Sequence, residues 1–448
     1  MKLRTIKIGS IGLVAALMAT SCSQDLMTDV NQNPNQADDA PLSTIVTSAL
    51  AGSILPVEGE NARIAGIWSQ NFTGTDRQYS AYDVYGVTAS DFHWEHFYYG
   101  NIQQANLAIG KAGQNQFYTG ICKVTKANSF GLMTSLWGDI PFSEANDLVN
   151  SPNPKFDAQT DVYSGVQAML DEAISDLNSG NGTDDAGVDF FYAGDNASWV
   201  KAANTMKARY FMHVGDYSAA ETAANAGITD PVNNMMIPHA GVYGQNMNVY
   251  SSFGEQDRQG YMSAPGAYLP TILDSLGAKN DAKTDESARF ADLYIGKGSP
   301  ADYDLNYSGG LFSATSSFPV ATASETHLIL AEIASRNTND VDALIHLNAV
   351  RQILAAKYPS GQYDDYVASD FATSADLLYA IMLEKYCSMV GQIEVFNDLR
   401  RSKNLIGIQP KGTAVKIPQR YLIPQDELNG NTSVTTAGDL FQETPVNQ

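Results

Sequence analysis

The sequence predicts a mainly α fold of about four antiparallel helix pairs that carry a long loop-rich part. Three observations lead there. Apolar residues recur at steps of three and four in separate stretches between residues 94 and 403, the spacing of one helix face. Those stretches are bounded by Asp, Ser, Gly and Pro of the kind that start and stop helices. Between residues 230 and 325, Gly, Asn, Ser and Pro are dense and no helical period is sustained, except over Leu269–Leu276. A loop region that long is functional or disordered, and its tyrosines and apolar residues argue against disorder.

Taken in order, residues 1–21 read as a signal peptide. Lys2, Arg4 and Lys7 precede an apolar run from Ile8 to Met18, and Ala19, Thr20 and Ser21 are small residues ahead of Cys22. That is the layout of a secretory signal. An apolar run of about 11 residues falls short of the roughly 20 that a bilayer crossing takes. A cysteine directly after a small-residue stop resembles a bacterial lipobox, with Ala19 where Leu is commonest. On that reading Cys22 is the first mature residue and is lipidated, and three acyl chains at about 0.8 kcal/mol per buried methylene hold it to a membrane. The competing reading is an ordinary cleaved signal with Cys22 incidental. Residues 22–40, with the polar run Asn31 to Asp39, read as a flexible tether. Residues 41–448 read as one domain, with no linker and no further membrane helix.

Within that domain, Val162, Val166, Met169, Ala173 and Leu177 mark one helix face, opened by Asp161 and followed by Gly180. Trp199, Ala203, Met206 and Tyr210 repeat the pattern behind Ser198 as N-cap. Leu344, Leu347, Val350 and Leu354 repeat it ahead of Pro359. Trp94–Lys111, Gly120–Leu136, Thr326–Arg336 and Ser374–Val390 complete the helical stretches. They fall into the pairs 94–136, 161–215, 326–356 and 374–403. Amphipathic pairs of this kind are TPR-like units, although the fixed repeat length and signature of TPR arrays are absent. Cys122 and Cys387 lie in apolar helical stretches and read as buried free thiols, not as a disulfide.

The charge balance, 27 Lys+Arg against 49 Asp+Glu, is −22. Removing residues 1–21, which hold three basic and no acidic residues, takes it to −25. So acidic a surface repels phosphate backbones and argues against nucleic acid as a partner.

Several segments in order carry a family resemblance. Leu132 to Ala145 (LMTSLWGDIPFSEA) holds an aromatic-Gly-Asp-x-Pro-Phe turn at a helix end. Trp199 to Met212 (WVKAANTMKARYFM) holds Trp199, Asn204, Lys207 and Arg209 on one helix, with Met206 in a Leu position. Glu325 to Arg336 (ETHLILAEIASR) is followed by Leu347 to Arg351 (LNAVR). Leu383 to Arg401 (LEKYCSMVGQIEVFNDLRR) ends in Phe-x-Asp-Leu-Arg-Arg, and Tyr421 to Glu427 holds a closing Pro-x-x-Glu turn. Over roughly residues 95–430 this series resembles the SusD/RagB family of Bacteroidetes surface lipoproteins, its shorter subgroup most of all. Val395-Phe396-Asn397 departs from the Arg-Trp or Arg-Phe that the family prefers, and the closing turn lacks the usual Asn-Pro-x-x-x-Gln-Asn run.

The resemblance implies a SusD-like scaffold of four TPR-like pairs with a loop-rich ligand-binding part. It implies a lipoprotein of the outer membrane, facing the cell exterior, that binds an oligosaccharide and delivers it to a SusC-type TonB-dependent barrel. Peptide ligands in the same uptake role, or a non-binding structural lid or adhesin, are the alternatives. The motif residues themselves read as scaffold. Glu332 and Arg336 pair one turn apart, and Trp137-Gly138-Asp139-Ile140-Pro141 stops a helix and starts a turn.

Ligand residues have no family motif and are read from composition. Residues 70–99 hold nine aromatics where the chain-wide 10% would give three. Those from Phe92 onward fall on a helix and belong to the core. Tyr79, Tyr82 and Tyr85 alternate with Gln78, Ser80, Asp83 and Gly86 in a stretch with turn chemistry, so some are expected to face solvent. A second cluster, with Asn248, Tyr250, Arg258 and Tyr261 beside Asn246, Phe253, Gln256 and Asp257, lies in the loop-rich part. Rigid aromatic faces cover the apolar side of a sugar ring while Asn, Asp and Arg bond its hydroxyls. The candidate ligand residues are therefore Tyr79, Tyr82, Asp83, Tyr85, Asn248, Tyr250, Arg258 and Tyr261, with loop packing or a transporter contact as the competing reading.

Catalytic patterns are not found, and neither a metal nor another cofactor is expected. His93 and His96 stand three apart but lack the HExxH order and a third ligand. Gly296-Lys297-Gly298-Ser299 has no glycine five residues upstream of Gly296, so it is no phosphate loop. Asp176, Asn178 and Gly180 begin like a calcium loop, yet Asn181 and Gly187 stand where its glycine and closing glutamate belong. The expectation is a binding protein and not an enzyme.

Overall fold

Apolar stripes become buried faces wherever consecutive helices turn back on one another, and that is how most of this chain is built. The structure is a computed structural model that describes residues 40–448 except Leu148. The expected signal peptide, Cys22 and the tether up to residue 39 lie outside the described residues. The chain divides into two units, Met1–Thr44 and Ile45–Gln448. Of the first, only residues 40–44 are described; apart from Leu42–Thr44, everything discussed below belongs to the second.

Thirteen helices organise it. They are α1 (Leu42–Gly52), α2 (Ile54–Glu58), α3 (Glu60–Trp68), α4 (Arg77–Asp83) and α5 (Gln103–Lys111). Next come α6 (Gln116–Trp137), α7 (Gln159–Asn178), α8 (Asn196–His213) and α9 (Tyr217–Asn225). The last are α10 (Ala323–Arg336), α11 (Asp340–Lys357), α12 (Ser374–Ser388) and α13 (Glu394–Arg401). The main packed neighbours are α5 with α6, α6 with α7, α7 and α9 with α8, and α10 with both α11 and α12. The mainly α scaffold of stacked helix pairs is therefore observed. Two details differ from expectation. The fourth pair is loose, since α12 packs chiefly on α10 and lightly on α13. Helix α9 adds a partner to α8 that the sequence reading stopped short of.

The predicted apolar faces are buried: Val162, Val166, Ala173 and Leu177 on α7, Trp199, Ala203, Met206 and Tyr210 on α8, and Leu347, Val350 and Leu354 on α11. On α7 the innermost position falls to Leu170, with Met169 only half-buried. Ser198 is not the N-cap of α8. Asp195 takes that place, accepting from the Ala197 N–H at 3.1 Å, and Ser198 donates to it at 2.6 Å. Cys122 and Cys387 are buried and free, and burial pushes both thiols up to about 12.

The segment Leu42–Trp68 corrects the expectation that no further stretch has the make-up of a membrane helix. It is long and apolar enough to cross a bilayer, at mean hydropathy 1.3, yet half of that window is buried within the protein. Breaks at Ser53 and Gly59 divide it into three helices.

The motif residues are framework. The Arg209 guanidinium grips Glu325 with Nε and Nη2 at 2.6 and 2.7 Å and donates to the Val320 carbonyl at 2.6 Å. Glu332 takes Arg336 at 2.8 Å, as expected, and also both terminal nitrogens of Arg401 at 2.7 and 2.5 Å. Helix α6 stops at Gly138, whose φ of 82° suits glycine. The closing segment docks there: Tyr421 N–H bonds the Leu136 carbonyl at 2.8 Å, and its ring meets Trp68, Phe92 and Trp137 at 5.0, 4.8 and 5.3 Å. The loop-rich part between 230 and 325 is made of turns, short helices (Tyr268–Leu273, Ser287–Leu293) and two-stranded ladders. Gly296 ends one strand of a hairpin, Tyr294–Gly296 against Tyr303–Leu305.

Candidate functional site

Two clusters far apart in sequence meet through a two-residue ladder. Thr73 and Gly74 pair with Ser263 and Met262, and Thr75 adds bonds to the Tyr261 and Gly260 carbonyls at 2.8 and 2.7 Å. This sets α4 beside the segment 248–261. Asn248 starts that segment as a helix cap, accepting from the Tyr250 and Ser251 N–H groups at 3.0 and 3.3 Å. A π-helical turn, Ser252–Asp257, follows. Such turns are rare and occur frequently at functional sites.

The tyrosines predicted to face solvent do not. Tyr79, Tyr82 and Tyr85 are 1, 4 and 7% exposed. The reason is local: residues 77–83 are a helix, on which positions 79 and 82 share one inward face. The Tyr82 hydroxyl bonds Asp91 at 3.2 Å, and the Tyr85 hydroxyl accepts from the Lys411 N–H at 3.1 Å. Asp83 accepts from Gly74 N–H and pairs with Lys411. Asn248 and Tyr250 are also core, with Tyr250 donating to the Gly391 carbonyl at 2.6 Å and stacked on Phe318. Of the eight candidates, Arg258 is exposed and Tyr261 half-buried.

What the structure assembles is a shelf around a residue that the sequence reading missed. Arg63 on α3 is 8% exposed, and its Nε donates to the Tyr79 hydroxyl at 2.9 Å. Its guanidinium carbon lies 4.0 Å from the centre of the Phe253 ring. Among the described residues it has no carboxylate partner, and Nη1 and Nη2 have no acceptor. Phe253 lies against Tyr79 at 5.0 Å and 32°, and Tyr261 lies 6.0 Å from Tyr79. Arg77 and Arg258 stand 5.8 and 5.9 Å from the Tyr261 ring centre. Burial pushes the Tyr79 hydroxyl up against the pull of Arg63, so it stays a neutral phenol. Beneath the shelf, the Tyr307 hydroxyl is buried without a partner. The signal for Arg63 was present in the sequence: Glu60 and Arg63 are the only charged residues in the helix ENARIAGIW, otherwise apolar but for Asn61.

Chemically, the shelf offers stacking faces edged by guanidinium donors, the equipment for an acceptor-rich ligand with an apolar side. Hollows lie elsewhere. One of about 400 Å³ is lined by Lys279, Tyr366 and Glu384, and one of about 360 Å³ by Arg289, Asp292 and Tyr358. Their charges are already paired, Lys279 with Glu384 at 2.6 Å and Lys357 with Asp292 at 3.2 Å. The unspent cation of Arg63 makes the shelf the stronger candidate. No group of three or more His, Cys, Asp or Glu is placed to hold a metal among the described residues.

Comparison with known proteins follows the same line. Solved structures of matching fold include a SusD/RagB family protein from Bacteroides thetaiotaomicron, 21% identical, covering 88% of this chain and 95% of that one at a TM-score of 0.66. A chitin-binding SusD homolog from Flavobacterium johnsoniae is 16% identical, with 90% and 98% covered at 0.68. A SusD homolog from Bacteroides vulgatus is 17% identical, with 91% and 97% covered at 0.70. No curated protein matches the sequence. The profile that matches residues 34–404 is that of SusD-like proteins described as starch-binding and associating with the outer membrane, and the chain belongs to that family.

Proposed function

We propose that this chain is a surface glycan-binding lipoprotein. It captures an oligosaccharide on the shelf formed by Arg63, Phe253, Tyr261, Arg77 and Arg258 and passes it to a SusC-type TonB-dependent barrel. Cys22 would carry the lipid that keeps it at the outer membrane, facing outward. The observation that carries the reading is a buried arginine with open donors beside two stacking rings. The starch-binding description of the family and the chitin-binding neighbour support a glycan over other ligands. The protein acts by binding, without catalysis. Tyr79, Tyr82 and Tyr85 serve in this reading as the backing of the shelf.

Isothermal titration with maltooligosaccharides and chitooligosaccharides tests it. Binding of one series is expected, weakened at least several-fold by Tyr261→Ala, and a protein that binds no oligosaccharide refutes the glycan reading. A peptide ligand is favoured by one feature, the three arginines, which suit a carboxylate. Titration with short peptides separates the two. Cys22→Ser is expected to release the protein from membranes, and loss of the barrel from pull-downs of the wild type would remove the delivery step.

A further inference from the structure

We propose that Phe253 is a built-in occupant of the ligand position, and that a sugar ring binds by displacing it. The inference rests on the glycan reading above; it turns Phe253 from a platform of the shelf into its resting occupant and adds Tyr79 and Tyr307 as contacts.

Phe253 makes the two contacts that a bound sugar ring would make. It lies flat-on to Tyr79, tilted by 32° at 5.0 Å, and it covers the Arg63 guanidinium at 4.0 Å. The phenyl face attracts that cation, but it accepts none of the N–H groups as a lone pair would. Nη1 and Nη2 of Arg63 find no acceptor among the described residues. The Tyr307 hydroxyl is likewise buried and unpartnered. It lies directly against Gly254, where a Cβ would fall 2.1 Å from it, so the segment closes over this hydroxyl only because residue 254 is glycine. Buried polar groups are normally satisfied. Here the Tyr307 phenol, reached by residue 254, is not.

The segment is also built to move as a unit. Asn248 and Tyr250 pin one end into the core, and the Thr75 bonds to Gly260 and Tyr261 pin the other. Between those pins, and among the described residues, 252–259 make hydrogen bonds only within residues 243–261. Ser252 and Tyr243 both bond Asp257, Ser251 bonds Glu255, and Arg258 N–H bonds the Phe253 carbonyl. Lifting the turn costs no hydrogen bond to the scaffold. It removes one ring from Tyr79 and Arg63. A pyranose placed there would stack on Tyr79, accept from Arg63 and meet the Tyr307 hydroxyl, which neutral, hydroxyl-rich sugars satisfy.

The test is titration of the full-length protein with the oligosaccharide series that the wild type binds. Phe253→Ala is expected to bind roughly five- to tenfold tighter, because removing an internal competitor raises the fraction that is binding-competent. Phe253→Leu, which keeps apolar filling without an aromatic face, is expected to gain less. Tyr307→Phe, which deletes only the hydroxyl, is expected to weaken binding in both backgrounds, and thermal unfolding reports whether each variant is folded. If the wild type binds sugar but Phe253→Ala and Phe253→Leu bind equally or more weakly, Phe253 is an ordinary platform and the displacement idea is overturned. If the wild type binds no sugar at all, the glycan reading itself fails and takes this proposal with it.

Discussion

Glu332 and Glu394 keep their charges inside the protein because cations are built around them. Burial pushes the Glu332 carboxyl up, but the Arg401 guanidinium outweighs it and holds the group at about 2. Glu394 is held at about 2 in the same way, with His213 at 2.8 Å and Arg209 nearby. Both values lie below the ordinary 4.5, so each carboxylate adds stability that is complete above that value and lost as pH falls toward 2, about 3 kcal/mol apiece. Urea midpoints are therefore expected to drop steeply between pH 4.5 and 2, and Glu332→Gln is expected to lower stability at pH 7 while flattening that slope. Arg209→Met is a sharper probe. It strands Glu325 in the core, and breaking a buried pair costs about 3–5 kcal/mol; denaturant unfolding reads the loss, and a cost under about 1 kcal/mol would mean that the pair is not buried as described. Part of this network was legible in the sequence. The i, i+4 pairing of Glu332 with Arg336 was readable, whereas Arg401, the stronger partner 69 residues on, was not. The tyrosines were misread for a related reason: the step of three from 79 to 82 is helical spacing, turn-forming neighbours hid it, and Tyr85 lies just past the helix end.

At the scale of elements, packing distance decides what the chain tolerates. Gly131 on α6 faces Tyr210 on α8, and a Cβ there would fall 2.2 Å from the ring. The Tyr210 hydroxyl is tied to the Asn128 side chain at 2.7 Å, so the ring cannot swing aside freely. Gly131→Ala is expected to cost about 1–3 kcal/mol by overpacking, although alanine favours helix; a rise in thermal midpoint would show that the two helices have room to part. Helices with one apolar stripe, such as α7, α8 and α11, were readable to within a few residues. Helix α3 was not, because Asn61 through Trp68 are all buried and a helix buried all round, Arg63 included, has no amphipathic period to read. Helix α9 escaped because its buried face is alanine, Ala220, Ala223 and Ala224, too weak a stripe to count.

For the molecule as a whole, the shelf proposed for binding exists only because a ladder joins residue 73 to residue 263, a contact that no local pattern announces. Composition pointed to both clusters, but which rings face inward depends on that join. The same scale sets the response to salt. The chain carries −22 overall, and at the shelf Arg63, Arg77 and Arg258 stand among Glu60, Asp76, Glu255 and Asp257. Between 0.1 and 1 M salt the screening length falls from about 10 to 3 Å, which silences the distant acidic surface before it silences contacts near 4 Å. A neutral oligosaccharide engages neither field, so its affinity is expected to change by less than about twofold over that range. A uronate-bearing oligosaccharide meets the two in opposition. At low salt the distant charges repel it, but an ion pair at contact distance with a guanidinium of the shelf is stronger per contact than a diffuse surface field. Its affinity is therefore expected to fall as salt is raised, and titration at both salt concentrations decides the matter: an affinity that rises with salt would mean that the acidic surface governs capture, and the arginines of the shelf would lose their assigned part.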